Sequence, residues 1–379
     1  VLSLRTTICS VVTLCSLAAI PSYAQPARAS DIGGPDRILA LDPRWTIALT
    51  SPPAAAPGFD EQMAYVPLHG DEILAIDLDL GRVVWTVPLA TTTTPATGDG
   101  LVFVAVDGAV IALDQRRGES VWRTPVSETL TGPLYWDSGW VFTSTGDGDV
   151  LALQAEDGRV LWRAALGSPV AITPSAADDR VFAALRDGRL VALALADGSV
   201  IWSLALKEDV TGLLALEEQL LVGTRANRLH SVSLDRGRLR WSQKAGADVV
   251  GAPVVDEANI YFVAFDNVLR ALNRGNGNLR WNRNLPSRPS GGALRVNDVV
   301  LVPFATNRIG AYLATTGTPS FTIQAVDEIG VAPFLRENAR PTAPRLIAMS
   351  RKGTLQGFAP RVEPPPASLA DLPGKKVGG

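Results

Sequence analysis

The chain has 379 residues, 46% of them hydrophobic and 19% charged, with a formal net charge of −3. That apolar content is ample for a core, and so small a net charge excludes the strongly basic field by which nucleic-acid binders hold phosphate. Length alone allows two or three domains, but repeat folds escape that rule because one closed ring reaches this size.

Residues 1–24 read as an export signal. Arg5 supplies the positive region, Ile8 to Ile20 a short apolar run, and Ser22-Tyr-Ala24 a small-x-small cleavage site before Gln25. Ala27-Arg-Ala29 is a second cut site of the same kind. The run is shorter than the roughly 20 residues that a membrane-spanning helix needs, and Ser10, Thr13 and Ser16 interrupt it. Cys15 stands where exported lipoproteins carry a lipidated cysteine. It follows Leu14, however, where such sites want a small residue, so it reads as part of the apolar leader. Cleavage removes both cysteines, Cys9 and Cys15, and with them disulfide and thiolate chemistry. Residues 25–37 form a polar linker containing Gly and Pro.

A repeat follows. The stretch Ala152-Leu-Gln-Ala-Glu-Asp-Gly158-Arg-Val-Leu-Trp162 places Gly six residues after Ala, and Trp four after Gly. The pattern recurs as Ala75/Gly81/Trp85, Ala112/Gly118/Trp122, Ala192/Gly198/Trp202 and Ala271/Gly277/Trp281. Two diverged copies keep the register, Ser231/Gly237/Trp241 and Ala311/Gly317/Phe321. The aromatic column advances in steps of 37 to 40 residues, the mark of a repeat architecture. Short apolar runs on either side of each Gly read as strands, and the Gly supplies the positive φ of the hairpin between them. Fourteen residues before each aromatic is a second turn column, Asp71, Gly108, Gly148, Gly188, Asn227, Asn267 and Asn307, all residue types that tolerate the left-handed region. Each copy is thus a four-stranded meander, the blade of a β-propeller. The small Ala column is expected to give a flat Trp from the neighbouring blade room to lie against backbone.

Trp45 stands 40 residues before Trp85 with no blade in front of it, while the strands ending at Phe358 lack a following aromatic. The N-terminal strand is therefore expected to complete the blade begun near residue 330, leaving no loose edge. The reading is all-β: an eight-bladed propeller over residues 38–359, closed by the N-terminal strand, with seven blades as the alternative if Trp45 belongs to a cap. Residues 360–379, with Pro364-Pro-Pro366, read as a disordered tail.

Residues that carry chemistry are sparse. The two histidines, His69 and His230, form no metal cluster with their sequence neighbours, and Gly-x-Ser-x-Gly is absent. Asp107-Gly108, Asp147-Gly148 and Asp187-Gly188 recur at one blade position, which marks hairpin tips more than a Ca²⁺ site. Arginines crowd the blades ending at Trp241 and Trp281. Arg225, Arg228, Arg238, Arg270 and Arg274 are the candidate partner surface, for an acidic protein or lipid headgroups, with a solvated blade edge as the bland reading. Trp136 and Trp140 lie outside the aromatic column and are the candidates for a glycan platform, with packing inside one blade as the other reading.

Ala75-Ile-Asp77-Leu-Asp-Leu-Gly81-Arg-Val-Val-Trp85 and Ala112-Leu-Asp114-Gln-Arg-Arg-Gly118-Glu-Ser-Val-Trp122 resemble the tryptophan-docking motif of pyrroloquinoline-quinone-type propeller repeats. Within that group, the length, single-ring plan and export signal are most similar to the outer-membrane assembly factor (BamB) family. The resemblance implies a non-catalytic, protein-binding scaffold of the bacterial envelope, periplasmic or attached to the outer membrane. It implies an envelope protein as partner, no nucleic acid, no cofactor, and a monomer that associates with the membrane at most peripherally. A quinone-dependent dehydrogenase is the alternative from the same resemblance; many of its members use adjacent cysteines, a Ca²⁺ ion and a catalytic Asp, and the adjacent cysteines do not exist here. A glycan-binding propeller is the third reading.

Overall fold

The structure is a computed structural model that describes residues 41–361. The expected export signal, the linker and the tail beyond Arg361 lie outside the described residues. Eight four-stranded antiparallel sheets make up the ring. Blade 1 runs Gly58–Phe59, Met63–Leu68, Glu72–Asp77 and Arg82–Pro88, each strand paired with the next in chain order. Blades 2 to 7 repeat this plan over residues 96–125, 135–165, 175–205, 210–244, 254–284 and 294–324. Blade 8 takes Phe334–Leu335, Leu346–Met349 and Thr354–Pro360 from the end of the chain and Leu41–Ala48 from its beginning. Trp45 pairs with Gly357, and Ala48 with Thr354, so the ring is closed by the N-terminal strand as the sequence predicts; the seven-blade alternative is set aside.

The strand types follow from burial. The second strand of blade 1, Met63–Leu68, is buried along its whole length, so it is apolar at consecutive positions instead of alternate ones. The fourth strands face outward and alternate: Leu239–Lys244 and Leu279–Asn284 bury only every second side chain in part. The first strands are short and lie against one another across neighbouring blades, which places them innermost. The core is accordingly a set of wedges between blades. Tyr65, Ile73, Ala75 and Trp85 of blade 1 pack on Val102, Val104 and Ile111 of blade 2. Ile347, Met349 and Leu355 of blade 8 pack on Ala64, Val66 and Ile76 of blade 1, so the closing wedge is as apolar as the others.

Indoles lock each wedge. Trp162 lies over Gly198 of the next blade so closely that a Cβ there would come within 2.5 Å of the ring, and Gly198 has φ of 72°. Its Nε1 donates to the carbonyl of Leu195, three residues before that Gly, at 2.7 Å. The same contact joins Trp45 to Gly81 and Leu78, Trp85 to Gly118 and Gln115, Trp122 to Gly158 and Ala155, Trp202 to Gly237 and Leu234, and Trp281 to Gly317 and Ala314. Trp241 covers Gly277 likewise, but its buried Nε1 has no partner. The equivalent carbonyl, Arg274 O, accepts instead from Gln219 Nε2 at 2.9 Å, while Gln219 Oε1 accepts from Ser231 Oγ at 2.6 Å. Ser231 is the repeat member that departs from Ala, and that hydroxyl is its reason.

Two expectations need correction. The Ala column does not receive the neighbouring blade's Trp. Ala152 pairs across the hairpin with Trp162 of its own blade, as do Ala75 with Trp85 and Ala112 with Trp122; the Gly of the following blade receives the indole. A bulge immediately after each Ala keeps Ala opposite its own Trp, and the large ring overhangs the blade edge. The second turn column holds positive φ from Asp71 to Asn267, but Asn307 does not adopt it. Its side-chain amide donates to Ala325 O at 3.2 Å instead.

Phe321 also has a structural reason. It would dock on the third-to-fourth-strand turn of blade 8, and that turn does not exist, because there the chain is broken between Thr354–Pro360 and Leu41–Ala48. A ring without an N–H suits a place with no turn carbonyl to receive one.

Candidate functional site

Alternate turns of a meander lie at opposite ends of the blade, so the ring has two rims. One carries the turns between second and third strands and the links between blades. The other carries the first-to-second and third-to-fourth turns. On the first rim, His69 is exposed beside Asp71, Thr91, Thr93 and Asp107 around a shallow cleft. Asp107, Asp147 and Asp187 occupy hairpin tips there, and Asp187 is spent on Arg189 at 2.7 Å. His230 is 4% exposed, with Nε2 2.9 Å from Glu208 Oε2 and Nδ1 without a partner. Among the described residues no three or more His, Cys, Asp or Glu side chains are grouped to hold a metal ion.

The five candidate arginines do not converge. Arg225 and Arg228 lie at the second-to-third-strand end of blade 5, whereas Arg238 is at its opposite end. Arg270 is turned inward onto Asp266, with Nη1 3.0 Å from Oδ1 and Nη2 on Oδ2, and sits 5.8 Å from the Phe262 ring centroid. Burial pushes the Asp266 carboxyl up, but Arg270 and the N–H of Gly246 outweigh it and hold it below the usual carboxylate range. Arg274 donates to Asp256 O at 3.2 Å. Only Arg225 and Arg238 of the set are freely exposed.

The second rim holds the more organised arrangement, across blades 8, 1, 2 and 3. Phe59 and Phe334, on innermost strands, stack with centroids 4.5 Å apart and planes 3° from parallel. Trp136, also innermost, lies flat over Gly98 and donates from Nε1 to Asp99 Oδ2 at 3.2 Å. Asp60 organises the floor: Oδ1 accepts from the N–H groups of Gln62 (2.6 Å) and Met63 (2.8 Å), and Oδ2 from Tyr65 OH (2.8 Å) and Gln115 Nε2. Burial first, and the Asp60 charge second, raise the Tyr65 phenol far above its ordinary value, so it stays a donor. Blade 6 repeats the device. Tyr261 OH donates to Asp256 at 2.6 Å, and that bond with two backbone N–H groups holds Asp256 low in spite of its burial. Beside the cleft floored by Asp60, Arg336 is 5% exposed and ties blade 8 to blade 1 through Glu61 O and Asp79 Oδ1, while Pro344 O of its own blade accepts a third bond, each at 2.8 Å. Trp140 stacks on Phe142 within its own blade, the packing reading of that residue, whereas Trp136 borders the cleft.

Sequence reasoning missed Asp60, Gln115, Phe59, Phe334 and Arg336. The spacing Asp-x-x-x-x-Tyr at residues 60–65 and 256–261 is the one local signal that announces any of them. A quinone site of the kind built from adjacent cysteines and a Ca²⁺ ion finds no matching residues among the described ones. No cysteine and no metal-ligating cluster is present among the described residues, so no chemical step through a quinone is derived.

Solved structures share this architecture. BamB from Moraxella catarrhalis superposes with a TM-score of 0.68 at 16% identity, covering 84% of this chain and 100% of that one. The computationally designed Ika8 protein gives 0.70 at 15% identity over 86% and 99%. The quinohemoprotein alcohol dehydrogenase of Comamonas testosteroni gives 0.67 at 15% identity over 86% of this chain and 77% of that one. At such identities these likenesses speak for the fold alone. No curated protein matches the sequence. The profile of the family described as outer membrane protein assembly factor BamB matches residues 19–129, 106–217 and 186–322, and the chain belongs to that family.

Proposed function

We propose that this chain is a non-catalytic, protein-binding scaffold of the cell envelope that works in outer-membrane protein assembly. The observation that carries the reading is the family match, which runs in three overlapping windows across most of the ring. The geometry fits it. A rigid ring of interlocked blades presents short turns on two rims, and each fourth strand leaves one backbone edge unpaired toward solvent. Those strands also expose apolar side chains at matching positions, two residues before the docking Trp: Val83, Val160, Val200, Leu239 and Leu279. An extended segment of a client protein pairs with such an edge by main-chain hydrogen bonds and sets its side chains on those apolar patches.

The test is capture. Purified protein immobilised at an engineered surface site is exposed to envelope extract and to unfolded outer-membrane protein. Retention of a defined partner, weakened by a Val→Lys change in the exposed strands, supports the reading; no retention beyond that of an unrelated propeller refutes it. The resemblance to a quinohemoprotein alcohol dehydrogenase favours one second reading, a quinone-dependent oxidoreductase. It predicts dye reduction with alcohols once pyrroloquinoline quinone and Ca²⁺ are supplied.

A further inference from the structure

The cleft on the second rim, of about 530 Å³, is lined by Trp136, Phe59, Phe334, Gln62, Gln115 and Arg116, together with the carboxylates of Asp60, Glu61 and Asp99. Its chemistry is of two kinds. The first is aromatic surface that is not consumed by the docking ring: Trp136 is only half-buried, and the Phe59–Phe334 pair is half-buried as well. The second is a set of planar polar side chains. Gln62, Glu61, Asp99 and Arg116 are exposed. Gln115, which lines the cleft, donates its amide N–H to Asp60 and accepts from Trp85 Nε1 at its backbone carbonyl, which fixes this wall to the docking ring.

Charge narrows the occupant. Asp60, Glu61 and Asp99 outnumber Arg116, so an anionic ligand meets repulsion. A purely apolar segment would desolvate the exposed Glu61 and Asp99 carboxylates and the Gln62 amide without replacing their water. A ligand with apolar C–H faces and a dense fringe of hydroxyls satisfies both kinds of surface, because its ring face lies on an indole while its hydroxyls pair with planar amides and carboxylates. The geometry points to a saccharide-binding site in this cleft, taking a neutral sugar chain with one ring over Trp136 and its hydroxyls on Asp99, Gln62 and Gln115. Its aromatic residues lie on innermost strands and its carboxylates, amides and Arg116 in turns of the second rim, none of them on the exposed fourth strands, so the site stands independently of the scaffold reading.

Isothermal titration calorimetry of the full chain with chitotetraose and with maltopentaose tests it. At least one of the two is expected to bind saturably, with Kd on the order of 0.1–1 mM. Trp136→Ala is expected to weaken that binding tenfold or more. Because Trp136 also covers Gly98, Gln62→Ala, which removes only an exposed side chain, serves as the second variant, with an expected loss of about threefold, the size of one neutral hydrogen bond. Absence of saturable binding of either sugar up to about 10 mM, a Kd worth under 3 kcal/mol, overturns the proposal. So does binding that both variants leave unchanged, or preferential uptake of an acidic peptide. Failure of the sugar titration with intact capture of envelope protein removes this site alone.

Discussion

The indole ring makes a quantitative prediction that depends on one atom. Trp162→Phe and Trp241→Phe remove the same group from equivalent places in the ring, so their losses of apolar contact nearly cancel in a comparison. The N–H groups differ. Trp162 Nε1 donates to Leu195 O at 2.7 Å, a bond whose loss costs about 1 kcal/mol and leaves a carbonyl short of a partner. Trp241 Nε1 is buried without an acceptor, because Gln219 already holds Arg274 O. Deleting that orphan donor recovers part of a desolvation penalty of about 1–3 kcal/mol. Trp162→Phe is therefore expected to be more destabilising than Trp241→Phe by about 2 kcal/mol or more. Urea denaturation followed by circular dichroism measures both; the midpoints are compared at equal slope, since a changed slope signals a changed unfolded state or loss of a single transition. Equal shifts, or a larger shift for Trp241→Phe, refute the account of how Gln219 and Ser231 rewire that wedge.

Trp162→Ala empties a site only 7% exposed and is expected to cost about 3–5 kcal/mol in the same assay. Gly198→Ala drives a methyl into the Trp162 ring and strains a residue at φ of 72°, so its midpoint should fall by at least as much as that of Trp162→Phe, although it deletes nothing. Arg336→Leu severs the bonds to Glu61 O, Asp79 and Pro344 O, and is expected to cost on the order of 2–4 kcal/mol and to expose the blade 8–blade 1 wedge to proteolysis first. Asp266 and Asp256 have folded-state pKa values below the ordinary one. Their stabilisation is complete above about pH 4, the unfolded-state value, and is lost as pH falls through the folded-state values. Asp266→Asn should thus flatten the loss of stability between pH 4 and pH 2.5, measured by urea midpoints, and an unchanged slope argues against the Arg270 pair.

The fold was legible because its signals are local and repeated. Ala152, Gly158 and Trp162 lie within one hairpin, and a period set by the blade carries that hairpin around the ring. The closure by Trp45 was legible from register alone. What the indole rests on was not, because the Ala opposite and the Gly of the next blade are both small, and spacing does not say which the ring overhangs. The second-rim cleft was less legible still. Phe59 and Phe334 are 275 residues apart and meet only because the ring closes, and nothing around either one marks a site. The crowding of arginines misled in another way. Neighbours in sequence such as Arg225 and Arg238 are sent to opposite ends of a meander, so linear density does not become a patch.

Closure by the two chain ends imposes an order of events. Leu41–Ala48 is made first, yet its hydrogen-bonding partner, Thr354–Pro360, is made last. Until more than 300 intervening residues have emerged, that strand has no mate, and blades 1 and 7 each show a bare flank. The entropic cost of joining the ends grows only slowly with chain length, but it falls in a single event, so the final annulus forms in a late and concerted step. A molecule nicked or shortened at either end thus keeps well-formed blades and loses the circle, behaving as an open, adhesive arc instead of a disc.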